Sequence, residues 1–210
     1  GFEMDQPRPD AWRYRDFVIR AFNEDTPYDE FVRLQLAGDH LKRTNPDAWV
    51  ATGFLVAGVE NLIQTRKEFE RDRYDKVDDM VSTVGTALLG LTIGCSRCHD
   101  HKYDPLSQRD YYHFAAAFGS TVSRVKEFER GDTRFKSFVA TEVADGKIPM
   151  VVVTEPSFKK LPSVPARIHF LDRGDVTKKR EAVSVRYPKV LIRNGAEPSR
   201  WSQGSAEQPE

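Results

Sequence analysis

The chain has 210 residues, enough for one domain or two small ones, and carries 32 basic and 32 acidic side chains, for a formal net charge of zero. This balance lacks the excess of basic residues typical of nucleic-acid-binding domains. No run of about 18 apolar residues is present, so the sequence predicts no membrane-spanning helix. Because the chain opens with Gly1 rather than Met, we expect it to be a piece of a longer polypeptide.

The N-terminal part of the chain predicts three helices. The first covers residues 9–24, where apolar side chains recur at helical spacing after Asp10, a candidate N-cap. The second begins at Thr26-Pro27, an N-cap followed by proline at the first helical position, and Gly38 is its candidate stop. A third helix, at about residues 47–56, follows a similar Asn-Pro pair.

A loop or broken helix is predicted for residues 58–73, whose many charged side chains, Arg73 among them, favour a solvated surface. Residues 74–94 then place apolar side chains close to a helical stripe, and we expect a long helix there. Its glycines, Gly85, Gly90 and Gly94, allow two interpretations. They could interrupt the helix, or they could let a flat cofactor or another helix approach closely.

The most informative stretch follows that helix and reads Cys95-Ser96-Arg97-Cys98-His99. Cys-x-x-Cys-His is the attachment signature of a c-type haem. Two thiols three residues apart lie on one face of a helical turn, where both reach the vinyl groups of a porphyrin, and the adjacent histidine offers its imidazole to the iron. Both cysteines of the chain fall in this motif. The sequence therefore predicts covalent haem c on Cys95 and Cys98, with His99 as the proximal ligand.

Two other interpretations of the cysteine pair stay open. A zinc site could combine Cys95 and Cys98 with two of the three histidines His99, His101 and His113. A redox-active Cys-x-x-Cys normally lies in a βαβ context, which the surrounding pattern does not indicate.

A polar turn and a further helix follow the motif. Asp104 and Pro105 form the turn, and Asp100 and Asp104 could bind a second cation. A capping box from Ser107 to Asp110 predicts a helix over residues 110–118. The apolar side chains of this helix could wall one side of a haem or belong to an ordinary core; they are Tyr111, Tyr112, Phe114, Ala115 and Phe118.

From Gly119 onward the pattern changes. Residues 119–148 are polar with weak periodicity, and three later apolar runs, 150–154, 167–171 and 189–192, are predicted strands. The expected fold is therefore mainly α, with a helical domain over residues 1–120. A smaller β-containing or irregular C-terminal extension over residues 121–193 and a polar tail or linker over residues 194–210 complete it.

Several motifs in the same order resemble one family. They are the run 77–85, the glycine-rich approach 89–94, the Cys-x-x-Cys-His motif with its continuation Asp100-His101-Lys102-Tyr103-Asp104-Pro105, and Gln108 with Asp110-Tyr111-Tyr112. Together with earlier pieces such as 12–19 and 35–39, they closely resemble the planctomycete-type cytochrome-like domain over about residues 8–120. The stretch 149–191 resembles the segment that bridges into the domain usually following it.

The resemblance implies haem c and a place in a large exported protein of several domains, in the periplasm or otherwise outside the cytoplasm of a bacterium. It names no substrate. We expect a c-type haem-binding electron-transfer domain whose partner is a redox protein or another domain of the same polypeptide. Two alternatives are a five-coordinate, peroxidase-like haem enzyme and a structural or interaction domain with a Cys/His zinc site.

The sixth position of the iron would separate electron transfer from catalysis. The sequence offers Met80, His113, His40 and Met150 for it, or no protein ligand. Because His101 lies only two residues after His99, it cannot reach the opposite face of the same haem, and we expect it to form a hydrogen bond within the turn that follows.

Two basic side chains, Arg97 and Lys102, lie close enough to the motif to pair with haem propionates. An ordinary surface role is the alternative for both.

Overall fold

The computed structural model describes residues 7–59, 61, 67–149 and 163–191. Five α-helices and three two-stranded antiparallel sheets occupy these residues, and the helices precede the sheets along the chain. The expectation of a mainly α fold with a smaller β part toward the C-terminus is therefore confirmed. Within the described ranges, no helix has both the length and the apolar character needed to cross a membrane.

Helix α1 covers Trp12–Asn23, α2 covers Tyr28–Leu41, and α3 covers Pro46–Ala51, continued by a 3-10 turn at Thr52–Val56. The Asn45 side chain caps α3 by accepting a 2.9 Å hydrogen bond from the backbone N–H of Asp47. The predicted capping of α1 by Asp10 is wrong. The N-cap residue is Ala11, without a side-chain hydrogen bond, and the Asp10 carboxylate lies 3.8 Å from Nε of Arg13.

Helix α2 is interrupted at Ala37, where φ is −149° and ψ is 27°, so the break comes one residue before the predicted stop at Gly38. A short helical segment continues from there to Leu41. Gly38 faces the backbone carbonyl of Ala48, and a side chain at residue 38 would overlap that group. The missing side chain therefore lets α2 and α3 approach each other closely.

Helix α4 covers Phe69–Val84, so it begins and ends earlier than the predicted helix at 74–94. One turn of π-helix at Gly85–Leu89 and a 3-10 turn at Ile93–Arg97 follow it. The three glycines divide between the two interpretations. Gly85 lies against Ile93 and Gly94 against Ser82, so both allow close approach of the chain to itself, whereas Gly90, with φ of 66°, interrupts the helix.

Arg73 is buried in α4, which corrects the prediction of a solvated charge. Its side chain is 5% exposed, and Nη2 donates to Glu70 and to the carbonyl of Arg167 at 3.3 and 3.1 Å. The run of charged residues around Arg73 predicted exposure, because it reflects only nearby residues. The partner that contacts the buried side chain, Arg167, comes ninety-four positions later in the chain.

Helix α5 covers Gln108–Ala115 and begins with the predicted capping box between Ser107 and Asp110. Most of its predicted apolar residues belong to the main core of the protein, which confirms the core interpretation for Tyr111, Tyr112, Ala115 and Phe118. The same core includes residues from α4 and, from the C-terminal part, Ile168, Phe170 and Leu171. The division into residues 1–120, 121–193 and 194–210 stays a prediction.

Strands β1 (Thr121–Arg130) and β2 (Thr133–Glu142) form a hairpin in the region described above as polar and weakly periodic. Its two-residue turn, Gly131-Asp132, is a recognised hairpin signal, and the prediction of an irregular stretch here overlooked it. Strand β3 (Lys147–Pro149) pairs with β4 (Ser163–Pro165), and β5 (His169–Asp172) pairs with β6 (Asp175–Ala182). Strand β5 overlaps the strand predicted at 167–171.

The strand predicted at 189–192 is wrong, because Lys189–Leu191 forms a 3-10 turn. Pro188 cannot donate a strand hydrogen bond, and the N–H of Lys189 donates to Oδ1 of Asp110 at 3.1 Å. The runs predicted at 150–154 and 194–210 lie outside the described residues.

Candidate functional site

The Cys-x-x-Cys-His motif lies on the 3-10 turn that follows α4. Cys95 is within the turn and Cys98 directly follows it. A 3-10 helix has three residues per turn, so side chains three apart lie one above the other. Ile93 and Ser96 point inward and are fully buried, and Cys95 and Cys98 are both exposed free thiols. Both thiols are therefore accessible, and that they share one face of the turn stays a prediction from their spacing.

His99 is exposed next to this thiol pair, and its environment selects one tautomer. Nδ1 lies 2.6 Å from the carbonyl oxygen of Asp100. Because a carbonyl only accepts, Nδ1 carries the proton and donates it, which leaves the lone pair of the neutral ring on Nε2. Within the described part of the chain, Nε2 has no hydrogen-bond partner. A histidine that donates from one nitrogen to a carbonyl is arranged as metal-binding histidines usually are.

His101 shows the opposite arrangement, since both of its nitrogens are engaged. Nδ1 accepts backbone N–H groups of Tyr103 at 3.2 Å and Asp104 at 2.7 Å, and Nε2 lies 2.9 Å from the hydroxyl of Thr92. Nε2 must therefore carry the proton and donate to Thr92. The expected hydrogen bond within the turn is confirmed, and the side chain holds the turn in place.

Arg97 faces inward toward α4. Its guanidinium lies 2.7 Å from Asp75 and 3.3 Å from Asp78, and its side chain is only 18% exposed. Asp78 also accepts a 2.6 Å hydrogen bond from the hydroxyl of Tyr111. Burial and the neighbouring Asp78 carboxylate both raise the pKa of Tyr111, so its hydroxyl stays a neutral donor. The guanidinium of Arg97 is therefore paired with two protein carboxylates, those of Asp75 and Asp78.

Lys102 does not share this arrangement. Its Nζ lies 5.0 Å from the centre of the Tyr103 ring, which is a cation–π contact at the surface.

The backbone of the motif is held by two side chains of α5. The carbonyl of Arg97 accepts hydrogen bonds from Nε2 of Gln108 and from the hydroxyl of Tyr112, both at 2.9 Å. Gln108 also donates to the carbonyl of Leu171 in β5 at 3.2 Å, which joins the motif to the C-terminal hairpin. From the sequence, Tyr112 was expected only to wall a haem or to lie in the core, and Gln108 had no predicted role, although both belong to the pattern that carries the family resemblance.

The proposed zinc and second-cation sites are not assembled. The described residues contain no group of three or more His, Cys, Asp or Glu side chains placed to hold a metal ion. His101 is engaged as described above, and Nδ1 of His113 donates to the carbonyl of Ser184 at 2.7 Å. Asp100 accepts a 2.7 Å hydrogen bond from the backbone N–H of Gln108.

The candidates for the sixth iron position are dispersed. Met80 is 5% exposed and belongs to the main core. His40 is exposed on α2, with Nε2 at 3.6 Å from carboxylate oxygens of Asp39 and Glu142. His113 donates to Ser184 from Nδ1, and Met150 lies outside the described residues.

A cavity of about 520 Å³ lies between α4 and β1, away from the motif. Its lining includes Val77 and Met80 from α4, Val122 from β1, and Ile148. Asp79 also lines it, and burial together with the negative charge of Asp78 raises the pKa of the Asp79 carboxyl. None of Cys95, Cys98 and His99 borders this cavity.

Residues 1–123 match the family PSCyt2, described as a protein of unknown function (DUF1549). The chain belongs to this family. PSCyt2 is a planctomycete-type, cytochrome-associated family, which confirms the broader part of the resemblance. The PSCyt2 match includes the whole motif and α5 and ends within β1, so the β5–β6 hairpin lies beyond it. Searches of curated proteins and of solved structures returned no match.

Proposed function

We propose that this PSCyt2 chain is a c-type haem-binding electron-transfer domain of a larger exported redox protein. The observation that carries the proposal is the state of His99. Its Nδ1 donates to a carbonyl, and among the described residues its Nε2 has no hydrogen-bond partner. The exposed side chain directly follows two exposed thiols spaced three residues apart. His113 also donates from Nδ1 to a carbonyl, but it does not follow a pair of thiols in sequence, so the adjacent exposed thiols distinguish His99.

The residues present fit a covalently bound haem. Cys95 and Cys98 would hold the ring by two thioether bonds, and Nε2 of His99 would bind the iron. The haem would supply one-electron chemistry at its iron, while the protein sets its potential and access to it. Hydrogen bonds from Gln108 and Tyr112 to the carbonyl of Arg97 fix the backbone between the two cysteines and so limit movement of the attachment site.

The proposal also implies a cellular location for the domain and a partner for electron transfer. Haem is attached covalently outside the cytoplasmic membrane of bacteria, so the domain would be periplasmic or otherwise extracytoplasmic. Its electron partner would be a separate redox protein or another domain of the same polypeptide. The balanced charge of the chain gives no support for a nucleic-acid partner.

The decisive test is a pyridine haemochrome spectrum of protein made in a strain that attaches c-type haem, before and after acid–acetone extraction. We expect a c-type band that survives extraction. Cys95→Ser and Cys98→Ser should each reduce covalent haem, and His99→Ala should alter the iron spectrum. His113→Ala serves as the matched histidine control and should leave attachment unchanged. Absence of any haem band, with zinc found by elemental analysis, would overturn the proposal in favour of a structural metal domain.

A second candidate, a five-coordinate haem enzyme, has one observation in its favour. Met80 is packed in the core, so its side chain cannot reach the sixth position without rearrangement. Carbon monoxide binding separates the candidates. Rapid binding to the reduced protein would favour the enzyme, and slow or absent binding would favour electron transfer through a six-coordinate iron.

A further inference from the structure

The turn of the β5–β6 hairpin lies directly against the Cys-x-x-Cys-His motif. The two turn residues, Arg173 and Gly174, have φ values of 49° and 75°, the left-handed conformations of a tight two-residue hairpin turn. A Cβ placed on Gly174 would lie 2.8 Å from Sγ of Cys98 and 3.6 Å from the carbonyl oxygen of Arg97. Cβ atoms do not normally come within 3.0 Å of another heavy atom, so any side chain at residue 174 would compete with the thiol for space.

The hairpin is anchored on both sides of this contact. Phe170 and Leu171 of β5 are buried in the main core, with Leu171 fully inaccessible. Gln108 bridges the carbonyls of Leu171 and Arg97, one on the hairpin and one on the motif. The turn therefore cannot move away from Cys98 without breaking these contacts. If a side chain is added at residue 174, the thiol of Cys98 must move instead.

We propose that Gly174 is a positioning residue for the thiol of Cys98. The turn forms a wall beside Sγ, and the absence of a side chain at residue 174 leaves Sγ in its exposed, outward position beside Cys95. The segment beyond the PSCyt2 match thereby completes the attachment site. The position of the thiol is inferred from the structure alone, and only its use in haem attachment rests on the proposed function.

If haem c is attached as proposed, the thiol of Cys98 would add across a vinyl group of the porphyrin. One sulfur–carbon bond would form, the vinyl double bond would become a single bond, and the thiol proton would end on the second vinyl carbon, so that this addition would need no oxidant or reductant. A thiol turned away by a side chain at residue 174 would be out of place for this addition, while Cys95 would keep its position.

The first test measures thiol reactivity in the reduced, haem-free full chain. Each thiol is labelled with a maleimide at one fixed pH, and mass spectrometry of peptides gives the Cys98 rate relative to the Cys95 rate. We expect Gly174→Ala to reduce this ratio severalfold. Gly131→Ala and Gly146→Ala are matched controls, because both glycines have positive φ and nothing within 4 Å of the added Cβ. An unchanged ratio in folded Gly174→Ala protein would overturn the proposal.

Backbone strain is separated from side-chain contact by Gly174→Asn. Asparagine tolerates the left-handed conformation better than alanine does but carries a Cβ. The proposal requires Asn to reduce the ratio as Ala does. If Asn behaves like glycine, the effect of Ala is strain in the turn and the proposal is wrong.

A double-mutant cycle tests the same contact through stability. We expect Gly174→Ala to lower the urea midpoint more in the wild-type background than in Cys98→Ala, which lacks Sγ. In the Cys98→Ala background its effect should fall to that of Gly131→Ala. Strict additivity of the two substitutions would contradict the proposal.

Covalent haem is the third readout, and we expect Gly174→Ala to reduce its yield. Should the unaltered chain attach no haem, the proposed function fails. The labelling ratio and the double-mutant cycle would still decide whether Gly174 positions Cys98.

Discussion

Nη2 of Arg97 lies 2.7 Å from Oδ1 of Asp75, a residue twenty-two positions earlier on α4. The ion pair connects the middle of the Cys-x-x-Cys-His motif to the helix that forms the largest part of the core. With Asp78 on the same face, it holds the motif through a side chain that lies between the two cysteines in sequence.

Replacement of Arg97 by glutamine should destabilise the protein by about 1–3 kcal/mol, because two carboxylates and the mostly buried side chain lose a charged partner. Urea unfolding measures the change. Arg71→Gln is the matched control, since Arg71 also faces Asp75, but at 3.8 Å and with 74% of its side chain exposed. We expect Arg71→Gln to change stability by less than about 0.5 kcal/mol. Equal effects of the two substitutions would refute a specific role for Arg97.

Replacement of His101 by alanine should cost about 1–2 kcal/mol, because the side chain is 7% exposed and satisfies two backbone N–H groups. Thr92→Val, which removes only the partner of Nε2, should cost less, about 0.5–1 kcal/mol. Chemical denaturation measures both. If the protein binds haem c as proposed, Thr92→Val should leave covalent haem and the iron spectrum unchanged. A spectrum of His101→Ala like that of His99→Ala would then identify His101 as an iron ligand.

Asp110 should make stability depend on pH in the acid range. Burial by itself would raise the pKa of its carboxyl. Hydrogen bonds from the hydroxyl and N–H of Ser107 and from the N–H of Lys189 outweigh burial, so the pKa in the folded protein lies below its ordinary 3.8. A carboxyl with a lowered folded pKa contributes stability that is complete above its unfolded pKa. That stability is lost as the pH falls through the folded value.

The measurement is the free energy of unfolding from pH 6 down to pH 3 in wild type and Asp110→Asn. We expect the substituted protein to be less stable at pH 6 and to lose less stability on acidification, so that the two curves converge. Ser107→Ala, which removes one donor to the carboxylate, should lie between them. Parallel curves would mean that Asp110 does not contribute to the acid transition.

Gly85 and Gly94 should respond differently to alanine. A Cβ at Gly85 would overlap Cγ2 of the fully buried Ile93 and lie 3.0 Å from the carbonyl of Leu91, neither of which can move freely. At Gly94 the main obstacle is the hydroxyl of Ser82, which can rotate away. We therefore expect Gly85→Ala to cost about 1–3 kcal/mol and Gly94→Ala clearly less, by thermal or urea unfolding. The reverse order would contradict the packing seen here.

Local interactions explain what could be predicted from sequence. The Asn45 cap and the Ser107–Asp110 capping box join residues two or three apart, so their donors and acceptors are visible in the sequence itself. The thiol spacing is local in the same way, because residues three apart meet on any helical turn. The type of helix, 3-10 rather than α, did not alter that outcome.

Contacts between distant residues account for the predictions that failed. The burial of Arg73 involves the carbonyl of Arg167, which comes ninety-four residues later in the chain. Strands β1 and β2 carry many charged residues, and pairing across their turn, rather than a strong apolar alternation, defines them. The predicted strand at Lys189 is replaced by a turn whose N–H meets Asp110 of α5.

The sequence by itself determined the chemistry of the motif: two thiols and an imidazole at the spacing of haem attachment, within helices whose caps are local. The tertiary structure decided how those groups are presented. It turned Arg97 inward to α4, engaged both nitrogens of His101 while leaving Nε2 of His99 exposed, and brought Gly174 against Cys98. These relations depend on packing between residues far apart in the chain, and only the folded chain brings them together.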